Sequence, residues 1–242
     1  MKYAITILIT LITAQAYGQP VLVPGAHIVD LQWAKEGAQQ MTWYALRDTL
    51  RMEIGSVRNQ IIRERGTLIS VTQVHLKKTA ATWVDTSIAL WPALKPVYHA
   101  SYNAQRDMVL HFGPVITGFY YDKIKPDTQD INERVSSPYF DSNLYPQLLA
   151  WLPLKEGYRQ TLAVYDYNSA VSGLTEVHIV EVSSSTYSSA RSGIRPVWIV
   201  KVNDNIGGSD NTSSYFFDKA DRKLWQQEIS AGERKMLMVA VE

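Results

Sequence analysis

Val57-Arg58-Asn59-Gln60-Ile61-Ile62-Arg63-Glu64-Arg65-Gly66-Thr67-Leu68-Ile69-Ser70-Val71-Thr72-Gln73-Val74-His75-Leu76 reads as two strands folded back at Arg65-Gly66. After the turn, Leu68, Ser70, Thr72, Val74 and Leu76 fall on one face, and the β-branched residues sit where a pleat accepts them. The period of two extends upstream. From Met41, one side carries Trp43, Ala45 and Arg47 and the other Tyr44, Leu46 and Asp48, with Gly55 interrupting the run. A long antiparallel hairpin is the expected unit.

Downstream the same period recurs. Thr82-Trp83-Val84-Asp85 reads as a short strand closed by Leu90-Trp91-Pro92. Val97–Tyr102, Met108–Phe112 and Val115–Asp122 follow, separated only by Asn103–Asp107 and Gly113-Pro114. Connections this short join antiparallel neighbours. Residues 123–138 are charged and turn-rich and read as a surface loop. A helix is expected next: Asp141, Ser142 or Asn143 can cap it, Pro146 suits its first turn, and Pro153 ends it. Its Leu144, Leu148, Leu149, Trp151 and Leu152 form one apolar stripe suited to packing on a sheet.

Tyr158–Tyr167, Leu174–Val182 and Val197–Asp204 alternate again, with a serine-rich loop expected at Ser183–Ser192 and a polar loop at Asn205–Ser214. Tyr215-Phe216-Phe217, a turn at Asp218–Arg222, and strands at Leu224–Ile229 and Lys235–Val241 complete the chain. The last is apolar on both faces, as a central or covered strand would be. The fold class is therefore mainly β: a large curved antiparallel sheet, or half-open β-barrel, of about twelve strands with one helix packed at its concave side.

The N-terminus has the pattern of an export signal. Lys2 precedes an apolar run from Ala4 to Ile12, and Ala14-Gln15-Ala16 or Ala16-Tyr17-Gly18 offers the small residues of a cleavage site after Ala16 or Gly18. The run is too short to span a membrane, and no cysteine follows it for lipid attachment. This predicts a leader at 1–18, an N-terminal arm at 19–40 and a single β domain at 41–242, soluble in a bacterial-type periplasm. The formal net charge is +1, and losing Lys2 leaves none. A neutral chain argues against a nucleic-acid partner or an anionic lipid surface. With no cysteine, the core alone must hold the fold together.

No catalytic constellation stands out. The five histidines, His27, His75, His99, His111 and His178, lack metal-ligand spacing, although those at 99, 111 and 178 lie in expected strands. There is no Gly-x-Ser-x-Gly elbow. Asp141, Glu156, Asp166 and Glu181 are scattered carboxylates without a context that assigns acid and base roles. Asp204, Asp210 and Asp218 flank a loop lacking the alternation of a calcium site. No cofactor or metal is expected, and no enzymatic activity.

Several motifs carry a resemblance. They are Thr82-Trp83-Val84-Asp85, Leu94-Lys95-Pro96-Val97, Phe140-Asp141-Ser142-Asn143 with Leu152-Pro153-Leu154-Lys155-Glu156-Gly157-Tyr158, Val197-Trp198-Ile199-Val200, and the hairpin Tyr215-Phe216-Phe217-Asp218-Lys219…Arg222-Lys223-Leu224. In order, over roughly residues 40–240, they resemble uncharacterised periplasmic domains related to the lipoprotein-localisation-factor (LolA-like) half-barrel. That resemblance implies a curved sheet wrapped on a helical element, with an apolar groove able to shelter acyl chains.

The resulting expectation is a non-catalytic binding protein for an apolar or lipid-like ligand. Trp43, Tyr98, Phe112, Phe119, Trp151 and Trp198 are the candidates for the concave wall, since the fourteen Tyr and seven Trp suit either a core or a cavity. The alternatives are an envelope structural or interaction module, docking a protein partner through residues 19–30, 123–138 and 183–193, and a glycan or lipid hydrolase.

Overall fold

The computed structural model describes residues 20–27, 29–48, 50–79, 82–168 and 172–242; the expected leader at 1–18 lies outside them. Among the described residues, fifteen strands form one sheet. In chain order the first eight are β1 (Gly37–Arg47), β2 (Leu50–Glu64), β3 (Thr67–Leu76), β4 (Thr82–Leu90), β5 (Lys95–Tyr102), β6 (Arg106–His111), β7 (Ile116–Asp122) and β8 (Asp127–Glu133). After β9 (Phe140–Asp141) and helix α1 (Tyr145–Ala150) come β10 (Gln160–Tyr167), β11 (Ser172–Ser189), β12 (Gly193–Asp204), β13 (Asn211–Asp218), β14 (Leu224–Ala231) and β15 (Arg234–Ala240). The spatial order runs from β8 back to β1, then β15 back to β9. Each strand thus pairs with a sequence neighbour except at one join, where β1 meets β15 antiparallel with Met41 opposite Ala240. Among the described strands, β9 alone pairs parallel, at Val164 and Tyr165.

The fold is therefore mainly β, a curved sheet with a helix on its concave side, with more strands than the twelve expected. The extra strands hide in polar sequence. Ser183–Ser189, expected as loop, continues β11 and pairs residue for residue with Ile199 back to Gly193. Ladder hydrogen bonds use only the backbone, so a serine strand shows no apolar period; its partners Val197 and Ile199 supply that instead. Asp127–Glu133, expected as part of a surface loop, is edge strand β8, whose polar sequence keeps a free edge from recruiting another chain. Gly55 is a position of close approach: a Cβ there would lie 2.1 Å from the His75 carbonyl oxygen. It stands opposite Trp43, where the β1–β2 register shifts, so the residue that interrupts the pattern marks a bulge inside one strand.

The concave side is filled by the segment that carries α1. Asp141 accepts from the Asn143 N–H at 3.0 Å, opening a 3-10 turn over Ser142–Leu144. The helix follows, with Pro146 in its first turn. It is only six residues long, yet Leu144, Leu148, Leu149, Trp151 and Leu152 are buried in the main core with Leu68, Leu162, Val177, Val200 and Val202. A buried network anchors it: the Tyr145 hydroxyl donates to Asp204 at 2.8 Å and contacts the Tyr215 hydroxyl at 3.1 Å. Residues before β1 join the same core. Leu22 is buried and bridges to Leu162, covering the edge of β10 that the short β9 leaves open.

The aromatic–Asp–Lys hairpin also has a structural explanation. Asp218 is fully buried and accepts from Arg195 Nε at 2.8 Å, Trp225 Nε1 at 2.9 Å and the Ala220 N–H at 2.8 Å. Burial opposes its ionisation, but those donors together hold its carboxyl below the usual range. The lysines lie over indoles, Lys219 3.8 Å from the Trp198 ring centre and Lys223 3.9 Å from that of Trp225. The motif secures a turn.

Candidate functional site

Rolling the sheet brings its two ends face to face without closing a barrel, and the side chains along this seam define the site. The Tyr165 hydroxyl on β10 donates to Glu133 on β8 at 2.7 Å. The Tyr120 and Tyr167 rings lie 5.9 Å apart. Phe112 packs 5.9 Å from both Tyr139 and Tyr165. Burial pushes the Tyr139 phenol up to about 12 and, with Glu133 beside it, Tyr165 further still. Both remain neutral near pH 7.

Two openings lie beside this aromatic cluster. The first is a cavity of about 430 Å³ walled by Pro24, Pro96, Phe112, Val135, Pro138 and Tyr139, with exposed Lys95 at its side. The walls are mostly apolar, as in small-molecule sites. The second, about 370 Å³, sets the charged side chains Asp85, His99, Arg106, Asp141 and Asp166 among apolar ones and lies where β4, β5 and β6 face β9 and the start of the helical segment. Alternation puts Trp83, Asp85 and Ser87 of β4, His99 and Ser101 of β5, and Arg106 of β6 on the inward face.

His99 and Asp141 bridge this second opening from opposite halves of the sheet. Nδ1 of His99 lies 2.9 Å from both Asp141 carboxylate oxygens, and both residues are buried. Nδ1 therefore carries a proton. Burial disfavours the imidazolium, but Asp141 and then Asp85 more than offset this against the opposing effect of Arg106, and the pKa is raised. Asn143 donates to Ser87 at 3.0 Å, and Arg106 to Ser101 at 3.3 Å. Among the described residues no three His, Asp or Glu side chains gather as metal ligands.

The sequence-derived candidates disperse. Phe112 lines the apolar cavity. Trp151 is core, packed beneath the sheet at the end of α1. Trp198 packs against that core under Lys219. Trp43 is half-buried on β1, far along the sheet opposite Gly55. Tyr98 packs at a tilt against His111, 5.4 Å away, on the face away from His99. Phe119 is exposed on β7, with its neighbour Tyr120 turned inward. They form no single wall, because the helical segment fills the concavity they were expected to line. Of the strand histidines, His111 points outward beside Tyr98, and His178 contacts Thr161 and Glu176; neither joins His99. None of the six expected wall residues lines the second opening, although Trp83-x-Asp85-x-Ser87 and His99-x-Ser101 place polar groups at positions where alternation demands apolar ones.

Residues 39–239 match the family described as protein of unknown function (DUF3108). The chain belongs to that family. No curated protein matches this DUF3108 chain. The solved structures similar to it include the following two. A β-barrel-like protein of domain of unknown function DUF1849 from Brucella abortus is 10% identical over 85% of this chain and 95% of its own, with a TM-score of 0.49. The hypothetical lipoprotein YmcC from Escherichia coli K12 is 12% identical over 86% and 88%, with a TM-score of 0.34. Among the described residues of the DUF3108 chain, no helix is long and apolar enough to cross a membrane.

Proposed function

We propose that this protein is a non-catalytic binding protein of the periplasm that takes an apolar, lipid-like ligand with an acidic end. The observation that carries this reading is the cavity of about 430 Å³ walled by Phe112, Tyr139, Val135 and prolines, with Lys95 beside it. The LolA-like order of motifs and the export-type N-terminus support the same assignment. The ligand enters at the seam, since α1 occupies the middle of the concave face. Each CH₂ buried there contributes about 0.8 kcal/mol, and Lys95 pairs with the acidic end.

Native mass spectrometry with solvent extraction of protein purified from a periplasm tests the reading directly. A co-purifying lipid-sized mass is expected. Titration with a fluorescent fatty acid then reads the site: Lys95→Glu weakens it by about fivefold, the range of one exposed ion pair, and leaves a fluorescent fatty alcohol unaffected. A clean apo mass with no fatty-acid binding, beside one stoichiometric protein partner, replaces this reading with an envelope interaction module.

A further inference from the structure

Four side chains that line the second opening each carry a buried atom without a hydrogen-bond partner: Trp83 Nε1, Asp85 Oδ1, His99 Nε2 and Arg106 Nε. His99 is 6% exposed and Asp85 7%. Leaving even one such group unpaired costs about 1–3 kcal/mol, and four on side chains that line one cavity is a concentration that folding alone does not explain. We propose that this cavity is a second binding site, for a small neutral polyhydroxyl ligand of monosaccharide size.

The donor and acceptor inventory selects that chemistry. Trp83 Nε1 and Arg106 Nε can only donate, and ionised Asp85 can only accept. With Nδ1 committed to Asp141, Nε2 of His99 accepts when the ring is neutral and donates when it is charged. The ligand must therefore present acceptors and a donor hydrogen close together, as adjacent hydroxyl groups do. Formal charge excludes the simpler alternative of an anion. Asp85 and Asp141 balance Arg106 and charged His99. Asp166, also on the wall, adds a negative charge already satisfied by Ser142 Oγ at 2.8 Å and the Gly207 N–H at 3.0 Å. A carboxylate or phosphate would meet a neutral-to-negative site. The volume of about 370 Å³ is at the small end for ligand pockets, and the aromatic rings of Trp83, Tyr165 and Tyr167 on its wall suit the apolar faces of a sugar ring.

Saturation-transfer NMR and tryptophan fluorescence on the full chain, with glucose, galactose and N-acetylglucosamine as probes and gluconate as the anionic control, test the site. At least one neutral sugar should bind saturably, with a Kd of about 1 mM or tighter, and gluconate should not. Trp83→Phe, which removes one donor and keeps an aromatic ring, and Asp85→Asn, which keeps the shape, should each weaken binding by about tenfold. The thermal midpoint of Trp83→Phe should not fall below the wild-type value, which separates lost binding from lost fold. A fluorescent fatty acid should not displace the sugar, so the two sites stand or fall separately. No saturable binding of any of the three sugars, stronger binding of gluconate, or binding unchanged in both variants overturns the proposal.

Discussion

His99 is one of five histidines and looked no different in sequence from His111 or His178. What distinguishes it is a partner 42 positions away, Asp141, brought opposite by the roll of the sheet. Spacing along a chain cannot reveal such a pair; polar residues at inward strand positions can hint at it. The pair makes stability depend on pH. Facing His99 are Asp141, Asp85 and Arg106, and the folded pKa is raised above 6.5. The bridge therefore contributes fully below about 6.5, the unfolded value, and its contribution is lost as pH rises through the folded pKa. Thermal midpoints measured from pH 5 to 9 should fall across that window in the wild type and run flatter in His99→Gln. Parallel profiles would show that the imidazolium contributes nothing.

Among the elements, α1 was the most legible. The proline in the first turn and the apolar stripe report local backbone geometry and are present where expected, whereas the aspartate cap opens the preceding 3-10 turn and Leu144, at the start of α1, makes no side-chain cap. Its length was less legible, because the stripe continues past Ala150 into Trp151 and Leu152, which are buried without being helical. Leu149 is fully buried in the main core. Leu149→Ala should lower unfolding free energy by about 2–5 kcal/mol, measured by urea denaturation. A loss below 1 kcal/mol would mean that the sheet does not depend on this plug. Strands β8 and distal β11 were illegible for the opposite reason: their backbones are paired while their side chains are largely polar.

For the whole molecule, the alternating period identified the class and the local antiparallel pairings, whereas the size of the sheet, the β1–β15 join and the seam were not readable. Those arise from contacts between distant strands, and so do both openings; of the expected wall residues only Phe112 borders either. The rolled but unclosed sheet leaves β8 as an edge protected by Asp127, Asp130 and Glu133. Replacing Asp127 and Asp130 with valine should make the protein associate at micromolar concentration, seen by light scattering, while the wild type stays unassociated. An unassociated double variant would show that the roll alone shields the edge.

The join between β1 and β15 has a topological consequence. Both ends of the folded sheet sequence meet in its middle, while the link between its two halves crosses the seam through exposed Ser136 and Ser137. A circular permutant, opened between those serines and tied across the old termini by a flexible linker, keeps every ladder of the sheet. Its two former halves exchange places along the polypeptide, and the new ends lie on the rim of the apolar cavity.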